Sequence, residues 1–559
     1  MKKLSSCLLA GAVMLLVTFC ANPQQMAKLA ALVKTECNPQ ILECVGGEIK
    51  ATYTIHFPEK YFVQTAYLKV TPVLVYEGGQ EVGPDFWMQG EKIRDNYKAV
   101  PYKIASTVSR DVVFAYKPGM EKATLQLVAT VYNNSKSKSY EYPIPFKIAE
   151  GTNCTYMLAK TSGMVYEMED TYQKEVTEEV ETEILYDVNK SDVKTTRLNS
   201  KEIKAFEEFI KKAQKDKSKT VNSSKIIGYA SPEGPQDKNN TLSNQRAKSA
   251  KTAYDKTISK KANLDVPVTI EEKGEDWEGF QKIVKASNIE DKDLILRVLS
   301  MYSDPVIRER EIRNMSQVFQ TLSTKVLPQL RRSRIVTSVT KKNFTDEEIA
   351  QMLSNSDENL TEEAMVYYAA KVAKDNDEKI AVLKKAAERF GTTRTLNNLA
   401  AAYLKAGQTD KAAEALSKIK EESAGYYNNL GVVQMQKGEY DKAAEYFYMA
   451  KGENDELIEQ AKENIGALLI MDGDYTGALE ALNESKGFNH ALALVLTGKP
   501  DQAKSLLTNE DDPDESYLRA IIAARKGEVS ICEKELVTAY KNSKYEARVD
   551  RDIEFAALQ

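Results

Sequence analysis

Histidine is nearly absent from this chain of 559 residues, which has only His56 and His490. One falls in a predicted strand and the other in a helical region far along the chain. That scarcity removes most serine–histidine and cysteine–histidine nucleophiles and histidine-ligated zinc sites. Also missing are the phosphate-cradling GxxxxGK[ST] loop, a GxSxG elbow, an HExxH pair and a GxGxxG turn after a strand. Acidic pairs are plentiful among 82 Asp and Glu and so carry little information. The chain therefore reads as non-enzymatic, with no metal and no cofactor. Net charge is -5, which offers no basic field for nucleic acid. Beyond the first twenty residues no apolar run is long enough to cross a bilayer.

What is present is ordinary globular material, 42% hydrophobic and 28% charged, in a length that suggests roughly three or four domains. Residues 1–20 read as a targeting signal, with Lys2 and Lys3 ahead of an apolar core from Leu8 to Phe19. Cys20 stands where a lipoprotein signal places its acylated cysteine; the other reading is plain cleavage near Ala21. The mature chain is expected to be exported and held to a membrane by an N-terminal lipid on Cys20. Of the remaining cysteines, Cys37 has Cys44 and Cys154 as pairing options in an oxidising compartment. Cys532 reads as a buried small apolar residue.

Residues 21–47 are expected as a tether containing a short helix. Across residues 48–160 the pattern alternates with period two, clearest in Ile49–Ile55, Tyr67–Tyr76 and Ala123–Tyr132. About seven such strands predict an antiparallel β-sandwich. Pro72 inside one run predicts an edge strand or a bulge. Trp87 and the tyrosines read as packing residues or as a binding face. Residues 161–182 are acidic and either link domains or begin the next sheet.

Strand, helix, strand, helix, strand and strand then follow within residues 183–345. Ile184–Val188, Ile226–Ile227, Pro267–Glu272 and Arg334–Thr340 are the strands, and Ser200–Asp216 is an amphipathic helix capped by Ser200. Gly228 to Asn240 reads as a loop, with Asn240 or Thr241 capping the next helix. A strand, a glycine-bearing loop and a helix start make a general anion site, to which Arg246 adds a fork suited to a carboxylate. Between the last two strands, residues 275–330 form a largely helical insertion. Arg331, Arg332 and Arg334 lie at the start of the last strand, free for an anionic ligand or simply solvated.

The pattern Asn239-x-x-Leu242-Ser243-x-x-Arg246-Ala247, after Gly228-Tyr229-Ala230-Ser231, resembles the peptidoglycan-binding signature of OmpA-like domains. The resemblance implies an α/β sandwich. It also implies a clasp in which an Asp and an Arg hold the amine and carboxylate of a peptide-stem residue. On this sequence the implied peptidoglycan-binding residues are Ser231, Asn239, Leu242, Ser243 and Arg246. Ser231 stands where the family carries Asp, and Glu233 is near enough to replace its carboxylate if the loop takes another path.

Residues 346–559 are helical, alanine-rich and repetitive. Asn397-Asn398-Leu399 followed by Gly407 and Ala412 recurs 31 residues later as Asn428-Asn429-Leu430, Gly438 and Ala443. Weaker copies centre on Asn464 with Gly473, on Gly498 and on Gly527. These units resemble tetratricopeptide repeats and predict an all-α solenoid, since one helical pair cannot bury its own apolar face. Asn398, Asn429 and Asn464, with Asn397 and Asn428, recur near the start of the first helices. They either hydrogen-bond an extended peptide backbone or cap helices. The whole resembles OmpA-family lipoproteins with helical repeats from Bacteroidetes-type envelopes. That resemblance implies an outer-membrane lipoprotein facing the periplasm, bound to the peptidoglycan stem peptide and recruiting an outer-membrane protein complex through its repeats. The competing reading is a pure interaction scaffold whose central domain has lost wall binding.

Overall fold

The computed structural model describes residues 22–290 and 292–558, so the expected signal and Cys20 lie outside the described residues. Chain contacts divide the protein into two units, one of residues up to Met168 together with Asp375–Gln559, the other Glu169–Lys374.

In the first unit eleven strands follow in order: β1 (Lys34–Val45), β2 (Glu48–Phe57), β3 (Tyr67–Tyr76), β4 (Gly79–Val82), β5 (Phe86–Gly90), β6 (Lys98–Val100), β7 (Ser106–Ala115), β8 (Thr124–Tyr132), β9 (Ser139–Glu141), β10 (Phe146–Glu150) and β11 (Thr152–Asn153). One sheet runs β11-β1-β2-β7 and the other β10-β8-β3-β5-β6, with β4 on β3 and β9 on β8. Most pairs are antiparallel, but β1–β11 and β5–β6 are parallel, so the sheets are mixed rather than purely antiparallel. Pro72 falls where β5 ends and β4 begins along β3, so its missing N–H interrupts no ladder.

The expected tether is largely strand. Residues Pro23–Lys28 form a short helix capped by Asn22, and β1 follows at Lys34. Cys37, Leu42 and Cys44 turn inward while Lys34, Glu36 and Asn38 face out. A register shift between Asn38 and Glu43 breaks the alternation, which hides the strand in the sequence.

After residue 375 the chain forms successive helices, among them Thr393–Lys405, Thr409–Leu416, Ala424–Gln436, Tyr440–Met449, Glu459–Asp472, Phe488–Leu496 and Pro513–Lys526. Gly407 and Gly438 close two of the turns at φ of 67° and 77°, a conformation that favours glycine. The helices and the strands share one hydrophobic core. Leu42, Cys44 and Tyr156 from the β region belong to the same buried cluster as Ile470, Tyr517 and Phe555. Glu554 fastens the two further, accepting from Asn153 Nδ2 at 2.9 Å and from Thr155 Oγ1 at 2.6 Å.

The second unit carries one four-stranded sheet of β12 (Glu175–Leu185), β13 (Lys219–Ala230), β14 (Val268–Glu275) and β15 (Arg332–Lys342), in the order β12-β15-β13-β14. Strands β13 and β14 are parallel, and β15 is antiparallel to both neighbours. The acidic stretch therefore begins this sheet, since β12 starts at Glu175. Helices Lys201–Lys215 and Gln236–Tyr254 cover the sheet, burying Ile203, Phe206, Ile210 and Tyr254 against Ile184, Ile226 and Ile335. Between β14 and β15 five helices, from Trp277 to Leu330, build a separate small core around Phe280, Val284, Leu299 and Leu327. Helices Asp346–Asn355 and Glu362–Tyr367, expected with the repeats, belong to this unit.

Candidate functional sites

Two regions hold the residues singled out in the sequence. The first is the turn from β13 into helix Gln236–Tyr254. The strand is longer than the two residues expected, and the helix starts at Gln236, several residues before Asn240. Pro235 ends the loop, and the stretch after it has no glycine or proline, while Asp237 in the first turn favours the helix dipole. Asn239 therefore lies inside the helix. Its Nδ2 donates to the Gly234 carbonyl at 3.0 Å and to Glu275 Oε1 at 2.8 Å.

Gly228 explains the small residues of the signature. A Cβ there would stand 2.1 Å from the Ser243 carbonyl oxygen and 2.7 Å from the Ala247 nitrogen. Helix and strand touch backbone to backbone, so Ser243 and Ala247 must be small. Ser243 is fully buried; its Oγ donates to the Asn240 carbonyl at 2.8 Å and accepts from the Gly274 N–H at 3.2 Å. Leu242 is half-buried beside it.

Arg246 is 1% exposed. Its Nε donates to the Lys190 carbonyl at 3.0 Å, Nη1 to the Tyr229 carbonyl at 2.9 Å and Nη2 to the Asp187 carbonyl at 3.3 Å. The guanidinium lies 5.0 Å from the Tyr186 ring centre. Burial pulls its pKa down to about 10, so the cation persists at neutral pH. Its fork faces main-chain carbonyls rather than an open anion site.

Ser231 is buried too, and its Oγ donates to Glu233 Oε1 at 2.5 Å. Glu233 receives a two-pronged contact from Arg331, Nε to Oε1 at 2.8 Å and Nη2 to Oε2 at 3.1 Å. Arg332 is held by Asp276 at 2.8 Å and by Glu183 at 2.8 Å, and Arg334 pairs with Glu181. All three arginines of the basic run thus have carboxylate partners.

The second region is the asparagine row. Residues 160–168, expected partly within the sandwich and partly in the linker, run extended along it. Asn398 Oδ1 accepts the Met168 N–H at 2.7 Å while its Nδ2 donates to the Met168 carbonyl at 2.8 Å. Asn429 treats Tyr166 the same way at 2.8 and 2.9 Å, and Asn464 treats Met164 so at 2.6 and 2.9 Å. Asn489 holds Lys160 at 2.8 and 3.0 Å. Alternate residues of an extended chain present N–H and C=O to one side, and a carboxamide offers the matching acceptor and donor. Such a clamp reads backbone and ignores side chains.

Asn397 and Asn428 form an inner layer. Their Nδ2 atoms donate to the Tyr166 and Met164 carbonyls at 3.0 and 2.9 Å. Their Oδ1 atoms accept from Asn429 and Asn464 at 3.0 and 3.1 Å, fixing the carboxamides. Side chains set the register. Tyr166 lies against Gly425, where a Cβ would meet its ring at 2.2 Å, and Gly163 meets Val432. Glu167 takes Lys379 and Lys405 at 2.7 Å each, and Lys160 pairs with Asp514 at 2.9 Å. Sequence reading found Asn398, Asn429 and Asn464 but missed Asn489, although Asn489-His490-Ala491-Leu492 faintly echoes the earlier units.

Elsewhere, Trp87 stacks on Tyr97 at 5.6 Å and lies by Tyr132 at 5.1 Å, with the Lys136 ammonium 5.1 Å from its ring. A cleft of about 430 Å³ opens beside Tyr156, Tyr440, Tyr448 and Met471. Among the described residues no cluster of three or more His, Cys, Asp or Glu is placed to hold a metal, and no helix is long and apolar enough to cross a membrane. Compared with models of known families and with curated proteins, the chain matches none.

Proposed function

We propose that this chain is a non-enzymatic scaffold of a bacterial cell envelope, anchored to the outer membrane by a lipid on Cys20. In this reading it faces the periplasm, and its central unit is an OmpA-like fold that no longer grips peptidoglycan through Arg246. The observation that carries it is the burial of Arg246 on three main-chain carbonyls, with Ser231 in place of the acidic partner. A ligand carboxylate would have to displace those carbonyls, leaving that of Tyr229 buried and unpaired at a cost of about 1–3 kcal/mol. The strand order β12-β15-β13-β14 and the pattern from Asn239 to Ala247 support the OmpA-like assignment. The recurring helix–glycine–helix units support a tetratricopeptide-like solenoid. Its asparagine row is occupied by residues 160–168, so a protein partner docks on the remaining surface, where Tyr440, Tyr448 and Met449 are exposed.

A second reading keeps wall binding and moves the clasp. Glu233 and Arg331 are a carboxylate and a guanidinium side by side, with side chains 24% and 11% exposed. A stem residue with free amine and carboxylate would exchange with that pair, its amine to Glu233 and its carboxylate to Arg331.

Sedimentation with purified sacculi separates the two. The scaffold reading expects no retention of the wild type, and retention would overturn it. The moved-clasp reading expects retention that Glu233→Gln abolishes, and retention surviving that change would remove it. Labelling with a radioactive fatty acid, with Cys20→Ser as control, tests the anchor, and an unlabelled wild type would exclude it.

A further inference from the structure

Strands β1 and β11 run parallel, with Leu42 opposite Thr152 and Glu43 opposite Asn153. Cys44 and Cys154 are the next residues on each side of that register, Cys44 still in β1 and Cys154 just past the end of β11. Leu42, Cys44 and Cys154 are buried in one hydrophobic core, and Thr152 is buried beside them. The two thiols are near enough to shift each other, Cys44 downward and Cys154 upward, and Cys154 Sγ donates to the Thr152 carbonyl at 3.8 Å. Adjacent strands lie about 4.7–4.9 Å apart, within the span a disulfide bridges. The surroundings hold the pair in place. The Tyr156 hydroxyl lies 3.6 Å from Cys44 Sγ and accepts the Gly47 N–H at 3.0 Å, and the Cys154 carbonyl accepts from Arg548 Nη2 at 2.9 Å.

Cys37 and Cys532 have no such neighbour. Cys37 stands opposite Tyr53 on β2, and burial pushes its thiol up to about 11. Cys532 is buried in helix Val529–Ala539. Neither pairing option read from the sequence includes Cys44 with Cys154, because spacing along the chain says nothing about the register of β11.

We infer that Cys44 and Cys154 form the disulfide of the mature protein, a modification that ties β1 to the segment leading into residues 160–168. The inference rests on the export reading for its oxidising compartment. The oxidant is an organic disulfide, either a small molecule such as oxidised glutathione or a protein disulfide. One cysteine thiolate attacks a sulfur of that disulfide, forming a mixed disulfide and releasing one thiol. The second cysteine, as thiolate, attacks the sulfur of the first and releases the other thiol. Overall two cysteine thiols lose two electrons and two protons, and the oxidant disulfide becomes two thiols.

The test uses the reduced full chain, refolded from urea in mixed reduced and oxidised glutathione, then alkylated, digested with trypsin and weighed. Cleavage yields Thr35–Lys50, which contains both Cys37 and Cys44, and Ile148–Lys160, which contains Cys154. The expected product is these two peptides joined, persisting in Cys37→Ser and lost in Cys44→Ser and in Cys154→Ser. A refolded chain with native circular dichroism whose Cys44 and Cys154 are alkylated or glutathionylated would overturn the pairing, as would a bond that requires Cys37. The same map on protein from cells quenched with acid and alkylating reagent tests the compartment. A chain that pairs in vitro but is fully alkylated in cells would overturn the export reading and leave the pairing geometry standing.

Discussion

Asn429 holds Tyr166 by both polar atoms of its carboxamide, accepting the main-chain N–H at 2.8 Å and donating to the carbonyl at 2.9 Å, across 263 residues of sequence. Asn429 itself is fully buried and Tyr166 is half-buried, so both hydrogen bonds are partly shielded from water. Replacing it by alanine strands the Tyr166 N–H and the Asn397 Oδ1, while the Tyr166 carbonyl keeps its bond from Asn397 Nδ2. Asn429→Ala is expected to lower unfolding free energy by roughly 2–4 kcal/mol. Urea denaturation measures the loss, and hydrogen exchange should quicken at Met164, Tyr166 and Met168 before the rest of the unit.

Gly425 tests the same contact from the other side. Alanine in a helix is ordinarily worth about 1 kcal/mol over glycine. Here the added methyl would stand 2.2 Å from the Tyr166 ring. Gly425→Ala should therefore destabilise by about 1–3 kcal/mol. In a Tyr166→Ala background the same change should become neutral or stabilising. A double-mutant cycle by thermal melting reads the sign reversal.

Arg246 is expected to behave as a structural residue. Arg246→Met removes the donor to three main-chain carbonyls, of which that of Tyr229 is buried, and should cost roughly 2–4 kcal/mol. Loss of thermal stability with no change in sacculus retention is the expected pair of results. A stable Arg246→Met protein would contradict the hydrogen bonding described for the guanidinium.

Acid should loosen the extended segment at Glu167. Burial raises this carboxyl, but hydrogen bonds from Lys379 and Lys405 outweigh it and hold it below its ordinary value of 4.5. A depressed folded value means that the group stabilises the fold fully above about pH 4.5, and that this stabilisation is lost as pH falls through the folded value. Hydrogen exchange at Tyr166 and Met168, corrected for the intrinsic rate, should show weaker protection at pH 3 than at pH 6. Lys405→Met should flatten that dependence.

Residues whose role is set by neighbours in the chain were readable from sequence. Ile49–Ile55 and Ala123–Tyr132 alternate because each lies in a strand with one buried face, and β2 and β8 follow. The doublets Asn397-Asn398 and Asn428-Asn429 recur because each repeat contributes the same clamp. Residues 160–168 have no period of their own, and their main chain is held by asparagines 230 to 329 positions away. The glutamates of β12 mask a strand whose order comes from pairing with β15. For Arg246 the sequence supplies a guanidinium at a helix start, but only the packing of Gly228 on Ser243 shows that it turns inward.

A chain made from its N-terminus presents Met168 well before Asn398, which lies 230 residues later, and Lys160 329 residues before Asn489. Everything in Glu169–Lys374 must emerge in between. The β region then waits, with part of its apolar surface uncovered, until the last helices arrive to complete the core they share. Contacts this distant make folding slow and leave an interval open to misassembly. A product cut short before residue 375 would be half of a body rather than a smaller whole, and a natural target for quality-control proteolysis.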